Sequence, residues 1–313
     1  MTFFEIPIFI PIYNRSDHLV DLLKVLKKIK PKIIYFCCDG PKNTNDKELV
    51  YITRNFIISN QISKKVKYKF LKYNHGCKDA VIKGINWFFD NEKQGIILED
   101  DCIPSLSFFY FCKENLRYHK KNKKIMNIGG LNLLNEIFNK NFINDNKSYF
   151  FTSSPMIWGW ATWKDRWSLI DAKIKNYNKV IKNKELIKKL YHDTKTAKFY
   201  LERLTEVKEG RDSSWAYIWD FTLRMNSGLN ITPKKNLVQN VGFGDNRTHK
   251  TPSYSRLSLL KTHNIGKIVH NNDLKANYDA DKKLTEFFSQ KSMLENLFLI
   301  LSKIRKLILS KIL

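Results

Sequence analysis

The amino-terminal third of the chain alternates short apolar runs with longer amphipathic stretches. The runs that predict buried strands occupy residues 6–13, 33–38 and 66–71, and a fourth begins at residue 96. The helices predicted between them start at Ser16 or Asp17, at Asp46 and at Asp79. The first of these ends before Pro31, the second at Ser59 and the third at Phe89. Strands alternating with helices of this length predict an α/β fold with a mostly parallel sheet and right-handed crossovers.

The fourth apolar run leads directly into three consecutive carboxylates. Residues 96–104 read Ile-Ile-Leu-Glu-Asp-Asp-Cys-Ile-Pro, so Glu99, Asp100 and Asp101 follow a strand that Pro104 terminates. Adjacent acids repel one another, and a chain places them at a strand end mainly where a cation compensates them. Carboxylate oxygens suit Mg²⁺ or Mn²⁺, ions that take further ligands from water and from substrate phosphates. The alternative interpretation is an acidic turn that closes a strand.

The polar residues that follow the four predicted strands meet at one edge of the sheet. They are Asn14, Arg15, Asp39, the turn at residues 75–78 that includes Lys78, and the three acids. Open α/β sheets bind their ligands at this edge, so the arrangement indicates a nucleotide site. The glycine fingerprint of dinucleotide-binding folds and the glycine-lysine phosphate loop are both absent. Neither hydride transfer nor ATP hydrolysis by those routes is therefore supported.

This order of motifs resembles the nucleotide-sugar-binding half of glycosyltransferases with the GT-A fold. The likeness to the family of N-acetylglucosaminyltransferase I and its bacterial relatives lies in strand-Asn-Arg, strand-Asp-Gly and Glu-Asp-Asp before a proline. The resemblance implies that Asp101 binds a Mn²⁺ or Mg²⁺ ion that bridges the diphosphate. It implies that Glu99 and Asp100 contact the nucleotide and sugar. It also implies that Arg15 holds the diphosphate and that Asp39 holds the base.

A tryptophan-rich segment continues the resemblance. Residues 157–167 contain four tryptophans and resemble the family's Gly-Trp segment, which shapes the sugar and acceptor pocket. Trp158 or Trp160 is a candidate for stacking on a sugar ring, since large flat side chains bury much area there. The alternative is an aromatic core stripe beneath a loop.

Residues 212–220 resemble the family's Asp-Asp-Trp segment, whose acid takes the proton from the acceptor hydroxyl. The chain departs from that pattern, because Asp212 is followed by two serines and a tryptophan. We predict Asp212 as the catalytic base, placed at the first turn of a helix that begins at Ser213. Asp220, further along the same helix, is the other candidate, and Asp212 as a simple helix N-cap is the structural alternative.

The last matching segment follows a strand predicted over Leu229–Pro233. In the relatives, a glycine-containing loop at this point closes over the donor, which implies donor contacts from Val241 and Gly242. Glycines at 242 and 244 provide the backbone freedom that such a closure needs. His249 is a candidate metal ligand or diphosphate contact, with an ordinary surface histidine as the alternative.

Composition is consistent with this interpretation. A chain of 313 residues that is 43% hydrophobic can bury the core of one α/β domain. We divide it into a nucleotide-sugar-binding half (1–150), an acceptor-binding half of the same domain (151–250) and a loop-rich extension (251–313). The net charge of +25 suits an anionic partner, although compositional bias towards lysine explains it equally well. Five cysteines without a Cys-x-x-Cys pair favour a reducing compartment and argue against structural zinc.

The carboxyl-terminal segment from Met293 to Leu313 predicts a basic amphipathic helix. Its apolar face carries leucine and isoleucine, and its four cations exclude an ordinary transmembrane span. Such a helix is typical of an anchor on an anionic membrane surface, which predicts a cytoplasmic protein at the inner membrane face. Docking on the core or dimerisation is the alternative.

Together these patterns predict a metal-dependent, inverting glycosyltransferase of the hexosyltransferase type. The donor is a nucleotide-diphosphate sugar, and the acceptor is a glycan of a surface polysaccharide or a lipid-linked oligosaccharide. A sugar nucleotidyltransferase is the competing enzyme hypothesis, but its glycine-rich signature is missing near the first strand. A non-enzymatic membrane- or nucleic-acid-binding protein is the third. Its basic residues would cluster on one face, whereas the lysines here are scattered, so no nucleic-acid partner is predicted.

Overall fold

The chain folds around one eight-stranded sheet with helices on both faces. The computed structural model of the protein describes residues 3–60, 62–138, 142, 146–242, 257 and 260–289. Its strands are β1 (Ile8–Ile12), β2 (Ile33–Cys38), β3 (Lys65–Phe70), β4 (Gln94–Ile97), β5 (Cys102–Pro104), β6 (Ile125–Gly129), β7 (Tyr149–Thr152), β8 (Trp160–Trp163), β9 (Leu229–Pro233) and β10 (Val238–Asn240).

The helices connect these strands or follow the last of them. They are α1 (Ser16–Ile29), α2 (Thr44–Ser59), α3 (Gly76–Asn91), α4 (Leu106–Tyr118), α5 (Leu133–Phe138), α6 (Lys164–Trp167), α7 (Tyr177–Ile181), α8 (Lys184–Tyr191), α9 (Thr194–Lys208), α10 (Ala216–Met225) and α11 (278–289). None of these described helices has the length and apolarity needed to cross a membrane.

The sheet is mostly parallel, as the sequence predicts. Its strand order is β3-β2-β1-β4-β8-β6-β9-β7. Strands β1 to β4 run in one direction, β8 runs against both β4 and β6, and β7 runs against β9. Since β6 and β9 are parallel, only β8 and β7 oppose the other six strands of this described sheet. The mixed α/β fold is therefore confirmed.

Side chains alternate between the two faces of the sheet. Along β1, Ile8 and Ile10 pack in one core cluster with the leucines of α1, whereas Phe9 packs in a second cluster with Phe88 of α3. This two-residue period is what buries a strand on both sides. Every parallel strand of this half ends at the same edge, which places the polar residues after β1, β2 and β4 together.

The divisions drawn from the sequence share this one sheet. The boundary at residue 150 lies within β7, and β8 from the second half inserts between β4 and β6 of the first. The extension is loop-rich over the described residues 260–277 and then forms α11. The amphipathic helix predicted over 293–313 lies outside the described residues.

Candidate active site

The three acids form a turn immediately after β4. Leu98 is fully buried, and the Cys102 amide donates to the Glu99 carbonyl at 3.0 Å, which closes the turn. Arg15, the residue before α1, reaches across from the end of β1. Its Nη2 donates to Asp100 Oδ1 at 2.8 Å and lies 3.6 Å from Asp101 Oδ2. The structure therefore brings together Arg15 and all three predicted acids.

A second, distant segment covers Asp101. Strand β10 pairs antiparallel with β5, with Asn240 opposite Cys102. Asn240 Nδ2 donates to Asp101 Oδ1 at 3.0 Å, and the Val241 amide donates to the Asp101 carbonyl at 2.9 Å. Gly242 then lies so close that a Cβ atom there would stand 2.1 Å from Asp101 Oδ2. Residues 240–242 thus pack directly against Asp101, the predicted metal ligand.

The electrostatics of the turn favour a cation. Burial raises the pKa of Glu99, and the charges of Asp101 and Asp100 raise it further, while Arg15 and a hydrogen bond from the Trp215 side chain oppose the shift. Burial also raises the pKa of Asp100, although Arg15 lowers it. One guanidinium therefore serves three adjacent carboxyl groups, so that their full ionisation requires a further cation.

The donor atoms fit a hard divalent ion. Ligand atoms of Glu99, Asp101 and Cys102 lie within 4.8 Å of one another. Burial raises the pKa of the Cys102 thiol well above its usual range, so the sulfur stays protonated and is a poor ligand. The carboxylate oxygens of Glu99 and Asp101 remain, and these are the atoms that Mn²⁺ and Mg²⁺ prefer.

Asp212 lies in a loop and not in a helix. Helix α10 begins at Ala216, so the prediction of a helix from Ser213 is wrong. Asp212 Oδ1 accepts from the Ser214 amide at 2.9 Å, and its own amide donates to the Glu206 carbonyl at 3.2 Å. These local hydrogen bonds replace the first helical turn, because the side chain caps its own loop.

Cys77 links Asp212 to the acidic turn. Burial raises the pKa of its half-buried thiol to about 12, and the negative charges of Glu99, Asp100 and Asp212 contribute to that shift. The thiol therefore lies within electrostatic reach of both groups. Trp215, three residues after Asp212, also donates a hydrogen bond to Glu99, so the segment that carries the predicted base contacts the acidic turn.

Asp220 occupies a different environment. Only 4% of its surface is exposed, and its carboxylate accepts from Arg224 Nε at 2.8 Å in a buried ion pair. Arg224 also donates to the Ser154 hydroxyl at 2.7 Å. Asp220 is committed to this internal network, so it is not available to an acceptor.

The tryptophan-rich segment contributes mainly to the core. Trp160 has 0% exposure and packs against Trp167, Trp215 and Trp219 with ring centroids about 6 Å apart. The prediction that Trp160 stacks on a sugar is therefore wrong. Trp158 is half-buried and packs against the core, and its contact with a sugar stays a prediction.

Asp39 holds the turn that leads into α3. Its carboxylate accepts from the amides of Gly40, His75 and Gly76 at 2.9 to 3.1 Å, and Asn74 Nδ2 donates to it at 3.1 Å. These donors account for most of its acceptor capacity. The structure thus assigns Asp39 a positioning role, and its contact with a nucleotide base stays a prediction.

The remaining predicted donor contacts are partly engaged elsewhere. Asn14 Nδ2 donates to Asp46 Oδ1 at 2.6 Å, at the first turn of α2. Lys78 lies in the first turn of α3 and lines a cleft whose described lining includes none of the three acids. Gly244 and His249 lie outside the described residues.

Two residues of the site, Asn240 and Trp215, were not among the predicted contacts. Asn240 contacts Asp101 from 139 positions away, and nothing in its local sequence marks it. Trp215 stands in the Asp-Ser-Ser-Trp motif, so its position was visible, but its bond to Glu99 depends on the packing of α10.

Comparisons with known proteins give only remote likenesses. No family model matches the chain, and no curated protein matches it. A mannosyltransferase from Pyrobaculum calidifontis in complex with GDP-Man and Mn²⁺ aligns with a TM-score of 0.39 and 10% identity, covering 71% of this chain and 68% of that one. HddC from Yersinia pseudotuberculosis aligns with a TM-score of 0.32 and 13% identity, over 51% and 77% of the two chains.

A UDP-glucose pyrophosphorylase complexed with UDP-glucose aligns with a TM-score of 0.31 and 11% identity, over 52% of this chain and 78% of that one. Scores at this level support no argument about activity. The function is therefore inferred from the site itself.

Proposed function

We propose that this chain is a metal-dependent glycosyltransferase that moves a sugar from a nucleotide-diphosphate sugar to a glycan acceptor. The observation that carries the proposal is the acidic turn after β4, which shares Arg15 as its cation and is covered by residues 240–242. A buried excess of carboxylate at the ligand-binding edge of an α/β sheet suits a metal diphosphate. The resemblance in motif order supports the same donor class.

The acidic turn and Arg15 provide the donor side of the site. Asp101, with Glu99 beside it, would hold Mn²⁺ or Mg²⁺, and the bound ion would neutralise charge on the diphosphate leaving group. Arg15 adds a fixed positive charge at the end of β1, next to Asp100. The indole of Trp215 holds the Glu99 carboxylate in place, which favours its charged form. Residues 240–242 then shield Asp101 from solvent on the side of β10.

Asp212 provides the acceptor side. Its carboxylate, oriented by the Ser214 amide, accepts the proton of an acceptor hydroxyl while that oxygen bonds to the anomeric carbon. The bond from that carbon to the diphosphate breaks on the opposite face of the sugar, so the configuration inverts. The interaction of the ion with the diphosphate and that of Asp212 with the hydroxyl would both strengthen as charge develops in the transition state. This is the condition for raising the rate of the chemical step.

The test measures nucleotide-sugar binding by calorimetry with and without Mn²⁺. In Asp101→Asn, the metal-dependent part of the affinity should fall at least about tenfold, because a ligand charge is lost. Asp90→Asn is the matched control, since this exposed carboxylate lies at the other end of α3. Unchanged metal-dependent affinity in Asp101→Asn would overturn the assignment.

The product that the protein releases separates a glycosyltransferase from the competing sugar nucleotidyltransferase. A sugar nucleotidyltransferase binds a nucleoside triphosphate together with a sugar 1-phosphate and releases pyrophosphate. A glycosyltransferase releases a nucleoside diphosphate from a nucleotide sugar. Release of pyrophosphate, with no transfer from a nucleotide sugar, would replace our proposal with the nucleotidyltransferase.

A further inference from the structure

A cleft between the start of α3 and the end of α9 is lined by lysines. It encloses about 500 Å³ between the first turns of α3, residues 172–174 and the end of α9. Its charged residues are Lys78, Asp79, Lys83, Lys173 and Lys208. Four cations and one acid thus surround one concave space, and such a space concentrates positive potential.

The four lysines are not neutralised by the protein. Lys83 Nζ lies 2.9 Å from His75 Nδ1, and Lys208 Nζ lies 5.4 Å from the centre of the Tyr177 ring. Neither partner carries a negative charge. In the described part of the chain, none of the four lysines forms an ion pair with a carboxylate. Several like charges around one concave space favour an anionic ligand there.

The backbone of the cleft wall is strained at Ile174. This buried residue has a φ of 50°, in the left-handed region that β-branched side chains strongly disfavour. Its amide donates to the Asp171 carbonyl at 2.8 Å, which closes a tight turn around Lys173. Strain of this kind often accompanies ligand sites, because the surrounding packing must impose it. Here it fixes the turn that carries Lys173 at the cleft wall.

Two walls of the cleft lie close in sequence to residues of the proposed active site. Lys78 directly follows Cys77, the residue within electrostatic reach of Glu99 and Asp212. On the other wall, Lys208 lies two residues after Glu206, whose carbonyl accepts from the Asp212 amide at 3.2 Å. The end of α9 thus forms one wall of the cleft and also accepts a hydrogen bond from the Asp212 backbone.

We infer that this cleft binds a phosphate group carried by the acceptor. The inference rests on the proposed function, since it takes Asp212 as the acceptor-side base. A phosphate offers several acceptor oxygens and more than one negative charge, which suits several lysine ammonium groups better than a single carboxylate would. The phosphate could belong to a soluble glycan or to a lipid headgroup, and the experiment distinguishes these sources.

The experiment titrates inorganic pyrophosphate into the full-length protein in the presence of EDTA. Without a divalent metal, the acidic turn has no ion to bridge it to pyrophosphate, so binding reports on the lysine cleft. The variant combines Lys173→Gln with Lys208→Gln, and the control combines Lys175→Gln with Lys198→Gln. The four substituted lysines are all exposed, but Lys175 and Lys198 of the control lie outside the cleft. The cleft variant should bind pyrophosphate at least about tenfold more weakly than wild type and control.

Further measurements assign each outcome. Equal pyrophosphate affinity in wild type and the cleft variant would overturn the inference. If the cleft variant loses binding to anionic vesicles as well as to pyrophosphate, the phosphate belongs to a lipid headgroup. If it loses binding to pyrophosphate alone, the phosphate belongs to a soluble glycan. Metal-dependent nucleotide-sugar binding is measured in parallel and should be unchanged in the cleft variant. If the wild type binds pyrophosphate in the cleft but shows no metal-dependent nucleotide-sugar binding, the anion site is supported and the glycosyltransferase proposal is overturned.

Discussion

Gly242 has no space for a side chain. A Cβ atom at this position would stand 2.1 Å from Asp101 Oδ2, and the Gly242 amide donates to Asn240 Oδ1 at 2.7 Å. A methyl group must therefore displace either residues 240–242 or the carboxylate. Since Asp101 is the proposed metal ligand, this glycine controls the geometry of the site.

We predict that Gly242→Ala lowers metal-dependent nucleotide-sugar affinity by about tenfold, because it displaces a ligand or the residues that cover it. Calorimetry measures the affinity, and thermal unfolding should show only a small change in Tm. Gly266→Ala is the control: a Cβ there meets no atom within 4 Å, so its φ of 69° is the only source of strain on the alanine. Equal loss of affinity in both variants would contradict the prediction.

Asp212 and Asp220 differ in exposure and in partners, so their variants should fail differently. Asp212→Asn should keep donor affinity and lose about 100-fold in transfer rate, as expected for loss of a general base. Asp220→Asn leaves the buried Arg224 without its charged partner and should lower the free energy of unfolding by about 3 kcal/mol. Single-turnover transfer assays and urea unfolding separate the two. A normal rate in Asp212→Asn would remove it as the base.

At the scale of elements, a buried histidine joins α4, β7 and the segment at residue 270. His119 Nε2 lies 2.7 Å from the Tyr149 hydroxyl, which lies 3.0 Å from His270 Nδ1. On its other side, His270 Nε2 lies 3.2 Å from Glu114 Oε1. Burial lowers the pKa of His119 to about 4, and the charge of His270 contributes. The imidazole of His119 is therefore neutral in the folded protein at pH 7.

This pKa predicts how stability depends on pH. In the unfolded chain His119 binds a proton near the ordinary histidine pKa of 6.5, but in the folded protein it binds one only near pH 4. The contribution of the neutral His119 to the free energy of unfolding is thus complete above pH 6.5. It is lost as the pH falls towards 4, by up to about 3 kcal/mol. Urea unfolding of wild type and His119→Gln should show their difference shrinking over this range. A constant difference would contradict the shift.

At the scale of the whole molecule, the net charge of +25 sets the interactions at long range. The lysine cleft is one local concentration of this charge, and the segment predicted to be a carboxyl-terminal helix is another. That segment carries Lys303, Arg305, Lys306 and Lys311 among leucines and isoleucines. Each cation near an anionic surface contributes about 1 kcal/mol, so binding should weaken as salt screens it.

We predict that deletion of residues 292–313 releases the protein from anionic vesicles without changing donor affinity. Vesicle sedimentation at two salt concentrations measures the first effect, and calorimetry measures the second. The cleft variant in full-length protein serves as the comparison, because it removes charge elsewhere. Insolubility or loss of a dimer after the deletion would instead identify the segment as a packing element.

The elements of the first hundred residues and one later strand could be predicted from local pattern. The strand at 33–38 and the strand at 229–233 have the predicted bounds, and α1 starts at Ser16 as expected. Helix α3 starts at Gly76 instead of Asp79, since Asp39 holds the preceding turn. Between residues 105 and 211 the pattern predicted no elements, yet β6, β7, β8 and six helices lie there. Strand β8 is four residues long and pairs with strands distant in sequence, so local periodicity carries little signal for it.

The sequence by itself determined the alternation of strands and helices and the placement of three acids at a strand's carboxyl end. Both are local properties, because burial repeats every two or four residues and a parallel sheet aligns its strand ends. Only the tertiary structure decided which groups surround those acids. It brought Asn240 to Asp101, buried Trp160 and Asp220, and assembled four lysines from three separate segments. Such contacts join residues far apart along the chain, so they depend on topology and packing and leave no trace in the local pattern.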